Sequence, residues 1–292
     1  MDNYLIGVDG GGSRCRALVC DLAGKVEARA ESGPANIATD YDGARTHILE
    51  AIESAWQSAG LNPEKLEQAY CALGLAGANV GDFALRMRQE LPFRHCRVSD
   101  DRATTLKGAL ADTDGCIAVV GTGSFFSSQF DGEERHIGGW GFVVGDDGSG
   151  ARLGLELLRR VVLCHGGLLE HSGFSREILS EYDDSAALIA ELSLIARPAD
   201  FARYAPRIVD AADQQDSHGV DLIEQAVTAV QRSLDGVGFK PGCKICMLGG
   251  LGPALLDYMD TAYQKACVEP LGDALDGAIL LAQRMLNDNG EQ

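Results

Sequence analysis

Short apolar runs alternate with stretches of helical period along most of the chain. Residues 4–9 (YLIGVD) are apolar up to their last position and predict a buried strand. Residues 14–22 alternate, with Arg14 and Arg16 on one face and Cys15, Ala17 and Val19 on the other, and predict a second strand. DLAGK is a turn and KVEARAES alternates again, so the opening predicts a three-stranded antiparallel meander. Beyond GPANI, apolar Ile48, Leu49, Ile52 and Trp56 predict a helix over about 40–59. QAYCALGLAGA reads as strand into loop, 80–90 as helix, 94–98 as a short strand and 101–111 as helix.

Residues 115–130 repeat the opening. "GCIAVVGTGSFFSSQFDGEE" is an apolar strand, a Gly-rich turn, a second strand and an Asp-Gly turn, matching "YLIGVDGGGSRCRALVCDLAGK" element for element. Helices follow at about 149–164 and 217–235, then a strand in KICMLGG and a terminal helix at about 272–287. Two meanders, each followed by alternating helices and strands, predict a duplicated α/β domain. The expected units are 1–111 and 112–271, with the segment of about 272–292 packing back on the first.

Composition narrows the function. The chain has 292 residues, more than one core usually serves. Its 43 acidic against 25 basic residues give a net charge of −18, which repels phosphate backbones and argues against nucleic acid. No apolar run is long enough to span a bilayer, and no leader is expected ahead of the first strand. Nine cysteines, an odd number, fit a reducing cytosol. Cys243 and Cys246 form one CxxC with no second pair, which predicts buried strand cysteines rather than zinc. His47, His95, His136, His165, His171 and His218 show no metal spacing, and no nucleophile elbow occurs, so covalent catalysis is disfavoured.

The glycine loops carry the candidate chemistry. Asp9 is followed by Gly10, Gly11, Gly12, Ser13 and Arg14, and then by a strand. With no helix behind the glycines this is not a dinucleotide loop, and GxxxxGK[ST] is absent. Two readings remain: a plain tight turn, or a hairpin turn whose bared backbone N–H groups hold a phosphate while Asp9 holds a hydrated Mg²⁺. The second loop, Gly121-Thr122-Gly123-Ser124, shifts the balance toward phosphate, since two such hairpins could clamp one polyphosphate. Gly249, Gly250 and Gly252 follow a strand and suit either a nucleotide base lying on the backbone or an ordinary strand-to-helix turn.

Together "GVDGGGSRCRA", "GTGSF", "GGWGFVVGDDGSGARLG" and "MLGGLGP" resemble the amino-sugar kinases related to N-acetylglucosamine kinase, in the BadF/BadG-type branch of the sugar kinase, Hsp70 and actin superfamily. The match runs in order over almost the whole chain and is weakest across about 165–235. The resemblance implies an α/β fold of two actin-like (ribonuclease H-like) domains flanking a cleft, ATP and Mg²⁺ as cofactors, an amino sugar as the small-molecule partner, and a cytoplasmic homodimer. Carried over by position, Asp9 would hold the metal through water, and Gly10 to Arg14 would bind phosphates. Thr122 and Gly123 would form the second phosphate loop with Ser124, which also serves the sugar. Gly249, Gly250 and Ala254 would lie by the adenosine. Asn36, Gly77, Gly139, Trp140, Gly141 and Asp146 would contact the sugar.

Two adjacent aspartates compete for the general base in "RVSDDRATTLKGALADTDG". The family's aspartate precedes the alanine of a Gly-Ala pair by eight residues, which fits Asp101 to Ala109 and selects Asp101, beside the sugar, over Asp100. Either could instead cap the helix. Asp146 fits the family's sugar-binding position, while Asp147 could cap the helix that opens at Ser149. Core packing competes with sugar contact for Trp140, and turn chemistry after Pro34 competes for Asn36.

The expected activity is phosphorylation of the 6-hydroxyl of N-acetylglucosamine by ATP, with glucosamine kinase as the nearest alternative. A dehydratase-activating ATPase of this superfamily would need cluster-binding cysteines, and "GWGFVVGDDGSGARL" has none. A non-catalytic sugar sensor on the same fold would have no need of Asp101.

Overall fold

The computed structural model describes residues 3–290; Met1, Asp2 and the last two positions of the expected 272–292 segment lie outside the described residues. The chain forms two compact units, one made of the residues up to Thr113 with those from Pro270 onward, the other of Asp114–Glu269.

The first unit is built on the strands β1 (Tyr4–Gly10), β2 (Cys15–Asp21), β3 (Val26–Ser32), β4 (Tyr70–Leu75) and β5 (His95–Asp100). They form one sheet in the order β3-β2-β1-β4-β5. The expected meander is there, and β4 and β5 run parallel to β1. Register places Gly10 beside Leu75 and Leu75 beside Asp100, so three parallel strands end in line. Helix α1 (Tyr41–Ser58) covers one face of the sheet, burying Ile48, Ile52 and Trp56 against Ile6, Val8, Ala17 and Val19. Helix α12 (Ala274–Gly290) supplies Leu275, Ile279 and Ala282 to the other face, against Leu5, Leu18 and Cys20. β1 is therefore apolar up to Asp9 because both of its faces are covered.

Helix α3 (Asp101–Leu110) is clamped against α12. A Cβ on Gly108 would stand 1.8 Å from the Asp273 carbonyl oxygen, and one on Gly277 would stand 1.9 Å from that of Thr104. These glycines let two backbones touch and fix α3, with Asp101 at its start. The helix read at 80–90 begins only at Phe83, as α2 (Phe83–Glu90), because Gly77 and Gly81 hold the preceding loop at positive φ.

The second unit repeats the plan with strands β6 (Gly115–Val120), β7 (Ser124–Phe130), β8 (Glu133–Gly138) and β9 (Lys244–Leu248), in the order β8-β7-β6-β9. β9 runs parallel to β6, as β4 does to β1. Where the first sheet has a fifth strand, a single parallel bridge joins Ile245 to Cys267. Helices α4 (Gly150–His165) and α9 (Ser217–Gly236) pack around its core with Leu157, Val161, Ile223 and Val230.

Between α4 and α9 lie four helices that are not assigned from the sequence: α5 (Gly173–Ser180), α6 (Ala186–Ile195), α7 (Pro198–Ala202) and α8 (Ala205–Asp213). They are short: α6 is apolar nearly all round, while α5 and α8 carry apolar stripes, Phe174, Ile178 and Leu179 in one and Ile208, Ala211 and Ala212 in the other, over little more than two turns. The short α10 (Gly252–Leu256) and α11 (Thr261–Ala266) follow β9. Cys246 is a buried strand cysteine, but Cys243 sits half-buried in the turn ahead of β9 rather than in the strand.

Candidate active site

In the first unit the candidate residues gather where β1, β4 and β5 end. Asp9 and Arg16 face each other across the hairpin. Arg16 donates to Asp9 Oδ2 from Nε at 3.1 Å and from Nη2 at 2.6 Å, and its Nη1 donates to Asp273 Oδ2 at 2.8 Å. Asp273 Oδ1 in turn accepts from Leu275 N and Asp276 N at the start of α12. Asp9 thus commits one carboxylate oxygen to Arg16, and Oδ1 is outside that pair. Among the described residues there is no cluster of three metal-ligating side chains. One available carboxylate oxygen suits a Mg²⁺ that keeps its waters and arrives with a polyphosphate, rather than a resident all-protein site.

Backbone hydrogen bonds tie three loops together here. Gly11 N donates to Arg14 O at 2.9 Å, Ala35 N to Gly11 O at 2.8 Å, Ala76 N to Gly10 O at 2.7 Å and Ile37 N to Ala76 O at 3.0 Å. Asn36 and Gly77 meet as a result, and a Cβ on Gly77 would stand 2.6 Å from Asn36 Oδ1. That oxygen accepts from Ala38 N at 3.0 Å and Thr39 N at 3.2 Å, so turn chemistry does occupy it and the amide NH₂ is the end left for a ligand. Ser13 and Arg14 are exposed, and Arg14 stands 3.6 Å from Glu31.

The aspartate pair divides its tasks. Asp100 is the N-cap of α3: its Oδ1 accepts from Arg102 N at 3.0 Å and from Arg102 Nε at 3.0 Å, and its Oδ2 accepts from Arg102 Nη2 at 3.1 Å. Asp101 opens the helix, and among the described residues its carboxylate forms no ion pair. Burial, with Asp100 and Asp9 nearby, pushes its pKa from 3.8 up to about 6, against the pull of Arg102.

In the second unit Gly121 N donates to Gly123 O at 2.9 Å and closes the turn. The first amides of α4 donate back to it, Gly150 N to Gly121 O at 2.8 Å and Ala151 N to Thr122 O at 3.2 Å. Asp146 folds over this turn. It is buried, holds φ at 61° and accepts from Ser124 N at 3.3 Å through Oδ1; burial raises its pKa. A Cβ on Gly123 would stand 2.9 Å from Asp146 Oδ2, so Gly123 is needed for this seating. Ser124 Oγ donates to Asp147 O at 2.8 Å, and Gly139 N donates to Ser124 O at 3.0 Å. A cap by Asp147 is not made: Ser149 is the N-cap, its Oγ accepting from Arg152 N, and the Asp147 carboxylate stands 3.7 Å from Arg232. A hydroxyl at the cap position leaves the helix no need of the earlier aspartate. Arg152 holds the Gly139–Asp146 loop by donating to Gly145 O at 3.0 Å and Val143 O at 3.2 Å. Trp140, in the same loop as Gly141, is 58% exposed, which removes the core-packing reading.

A cavity of about 460 Å³ lies wholly within this unit. Thr122, Gly250 and Ala254 line it, three of the expected nucleotide residues. Its opposite wall is Ala205, Pro206 and Val209 of α8, with Asp210 at the same helix face; sequence reasoning assigned none of them. The apolar stripe of α8 is the one signal that could have pointed to that wall, and the Asp9–Arg16 pair emerges only with the hairpin register. Gly249 stands behind the cavity at φ 81°, where a Cβ would be 2.4 Å from Val120 O.

The glycines of these loops are of two kinds. Gly10 and Gly249 are demanded by the fold, since a Cβ on Gly10 would stand 2.6 Å from Leu75 Cδ2. A Cβ on Gly11 would meet nothing closer than 3.6 Å, and one on Gly12 or Gly250 nothing within 4 Å. The protein's own packing gives no reason for glycine at those three places. A ligand lying on the backbone would.

A family model described as the BadF/BadG/BcrA/BcrD ATPase family matches residues 6–282. The chain belongs to that family. Among curated relatives, the glucosamine kinase of Vibrio cholerae is 30% identical over 281 residues, covering 96% of each chain. An N-acetylmuramic acid/N-acetylglucosamine kinase of Clostridium acetobutylicum is 31% identical over 163 residues, covering 53% of this chain and 52% of that one. A crystal structure from Chromobacterium violaceum, provisionally assigned as an N-acetylglucosamine kinase, superposes with a TM-score of 0.87 at 31% identity, over 96% of this chain and 99% of that one. The family implied by the four motifs is therefore the one found, and the fold is the two-unit α/β ATPase fold.

Proposed function

We propose that the chain is an ATP-dependent amino-sugar kinase that transfers the γ-phosphoryl group to the 6-hydroxyl of N-acetylglucosamine. The observation that carries this reading is Asp101. It is a carboxylate with no ion-pair partner among the described residues, held at the start of a clamped helix, beside a glycine hairpin with open space at Gly12. Phosphoryl transfer to an alcohol needs that carboxylate, positioning and charge neutralisation, and little else from the protein.

In this reading Asp101 accepts the proton of the sugar 6-hydroxyl as it attacks phosphorus. A pKa of about 6 leaves it ionised at neutral pH yet basic enough to receive a proton. Gly11 and Gly12 offer backbone N–H groups to phosphate oxygens, with Ser13 and Arg14 at the rim; Thr122 and Gly123 do so in the second unit. The apolar slot between Gly250–Ala254 and α8 takes the adenosine. Asn36, Gly77, Gly139, Trp140, Gly141, Ser124 and Asp146 bind and orient the sugar, which is the positioning contribution. Mg²⁺, when bound beside Asp9 with the nucleotide, neutralises phosphate charge. The resemblance also leads us to place the enzyme in the cytoplasm as a homodimer, and the nine free thiols suit a reducing compartment.

Glucosamine is the second reading, favoured by the Vibrio cholerae relative that matches over 96% of its length. The test is a coupled ADP-release assay with N-acetylglucosamine, glucosamine, N-acetylmuramic acid and glucose. Stimulation by N-acetylglucosamine above the others is expected. Preference for glucosamine would transfer the assignment to the second reading, and equal turnover of glucose would sink both.

A further inference from the structure

The adenosine cavity has one charged residue in its lining, Asp210. Its neighbours there are small or apolar: Ala205, Pro206 and Val209 on one wall, Leu251 and Ala254 on the other. Asp210 lies one helical turn beyond Pro206 on α8, is itself exposed, and stands between this cavity and a second one lined by Glu177 and Arg207. The arginine nearest in sequence, Arg207, is already committed to Glu177 and Glu181, so Asp210 is left as an acceptor at the mouth of an apolar slot.

We propose that Asp210 reads the ribose of the nucleotide by accepting hydrogen bonds from its 2′- and 3′-hydroxyls. The inference rests on the nucleotide reading of this cavity and adds to it the residue that tells ribonucleotide from deoxyribonucleotide. A carboxylate offers acceptors only. A cis-diol offers two donors side by side and satisfies both carboxylate oxygens at once. The Watson–Crick edge of adenine sets one amine donor beside a ring acceptor, which a carboxylate would repel. The apolar walls suit the flat base, and the hydroxyls belong at the polar mouth.

The experiment compares KM for ATP, 2′-deoxy-ATP and GTP at saturating amino sugar, in the wild type, Asp210→Ala, Asp210→Asn and Ala254→Trp. The wild type is expected to favour ATP over 2′-deoxy-ATP by about 10-fold, as for one hydrogen bond to a charged group. Asp210→Ala should raise KM for ATP about 10-fold more than KM for 2′-deoxy-ATP, which loses only its 3′-hydroxyl contact, with kcat little changed. The preference collapses toward unity. Asp210→Asn, which keeps one acceptor, should fall between. Ala254→Trp, which fills the slot, should raise KM for both nucleotides. A preference for ATP that survives in Asp210→Ala while Ala254→Trp still weakens both nucleotides would overturn the ribose assignment alone. Loss in Asp210→Ala of a wild-type preference for GTP would also overturn it, because a guanine edge carries two donors of its own. If Ala254→Trp changes neither KM, the cavity does not hold the nucleotide and both readings fall.

Discussion

The hairpin turns of the two units share a layout and differ in how they hold a carboxylate. In the first, Asp9 sits within the hairpin itself and is paired by register with Arg16. In the second, no acid lies in strand β6; Asp146 is folded in from a loop 22 residues away and seats its carboxylate over Gly123 and Ser124. The first turn spans four residues between paired strand ends and the second spans three. One duplicated scaffold therefore presents two chemically different turns. A local acid locked to a cation suits a fixed electrostatic role beside a metal ion. An acid delivered by a glycine-rich loop, buried and with a raised pKa, suits recognition of hydroxyls.

The comparison breaks most sharply at Asp101. Asp101→Asn is expected to lower kcat by about 10³-fold in ADP release, within the usual range for loss of a general base. Asp100→Asn, beside it, should keep most of the activity and lose about 1 kcal/mol of stability, read in urea titration, through its cap and its Arg102 pair. Equal losses of kcat in the two variants would contradict the division of tasks.

In the second unit, Asp146→Asn keeps a residue type that tolerates φ near 61° and removes the charge. KM for the sugar should rise about 10–100-fold with KM for ATP little changed. A matching rise for ATP would place Asp146 with the nucleotide instead.

The glycines sharpen the comparison next. Gly12→Ala should raise KM for ATP by about 10-fold with no loss of Tm, since its Cβ has room in the free protein. Gly10→Ala and Gly249→Ala should lower Tm by several degrees, because a Cβ there meets Leu75 or Val120. A thermal scan of the three variants checks this, and a destabilised Gly12→Ala would remove the argument for a ligand over that turn.

The smallest effect is in pH. Asp101 must be ionised to accept a proton, so kcat/KM should fall as pH drops through about 6 in the free enzyme. A profile flat down to pH 5 would deny Asp101 that part.

Strand pattern made β1 and β6 legible as short apolar runs bounded by turn residues, and β2, β3 and β7 as the strands that complete each meander. Helices α1, α4 and α9 were legible through their apolar stripes. Helices α5 to α8 were not: they are short, α6 is apolar nearly all round, and the stripes of α5 and α8 lie in the stretch of about 165–235 where the family resemblance is weakest. The same blindness hid the α8 wall of the cavity and Asp210 with it. The candidate loops were legible one at a time, but their pairings were not: Arg16 with Asp273 joins residues 257 positions apart. Asp100 and Asp101 could not be told apart by residue type, and only the cap geometry shows which one already has an occupation.

The central claim, that Asp101 is a half-buried base held ready at some cost to stability, is tested most directly by measuring activity and thermal stability of Asp101→Asn together at pH 8. Between about pH 4 and pH 6 the folded protein holds the Asp101 proton more tightly than the unfolded chain does, so stability falls as pH rises through that window and stays lowered above it. Removing the charge should return about 1–3 kcal/mol, a Tm gain of a few degrees, while ADP release is nearly lost. Retained ADP release, or activity lost together with a lowered Tm, would contradict the account.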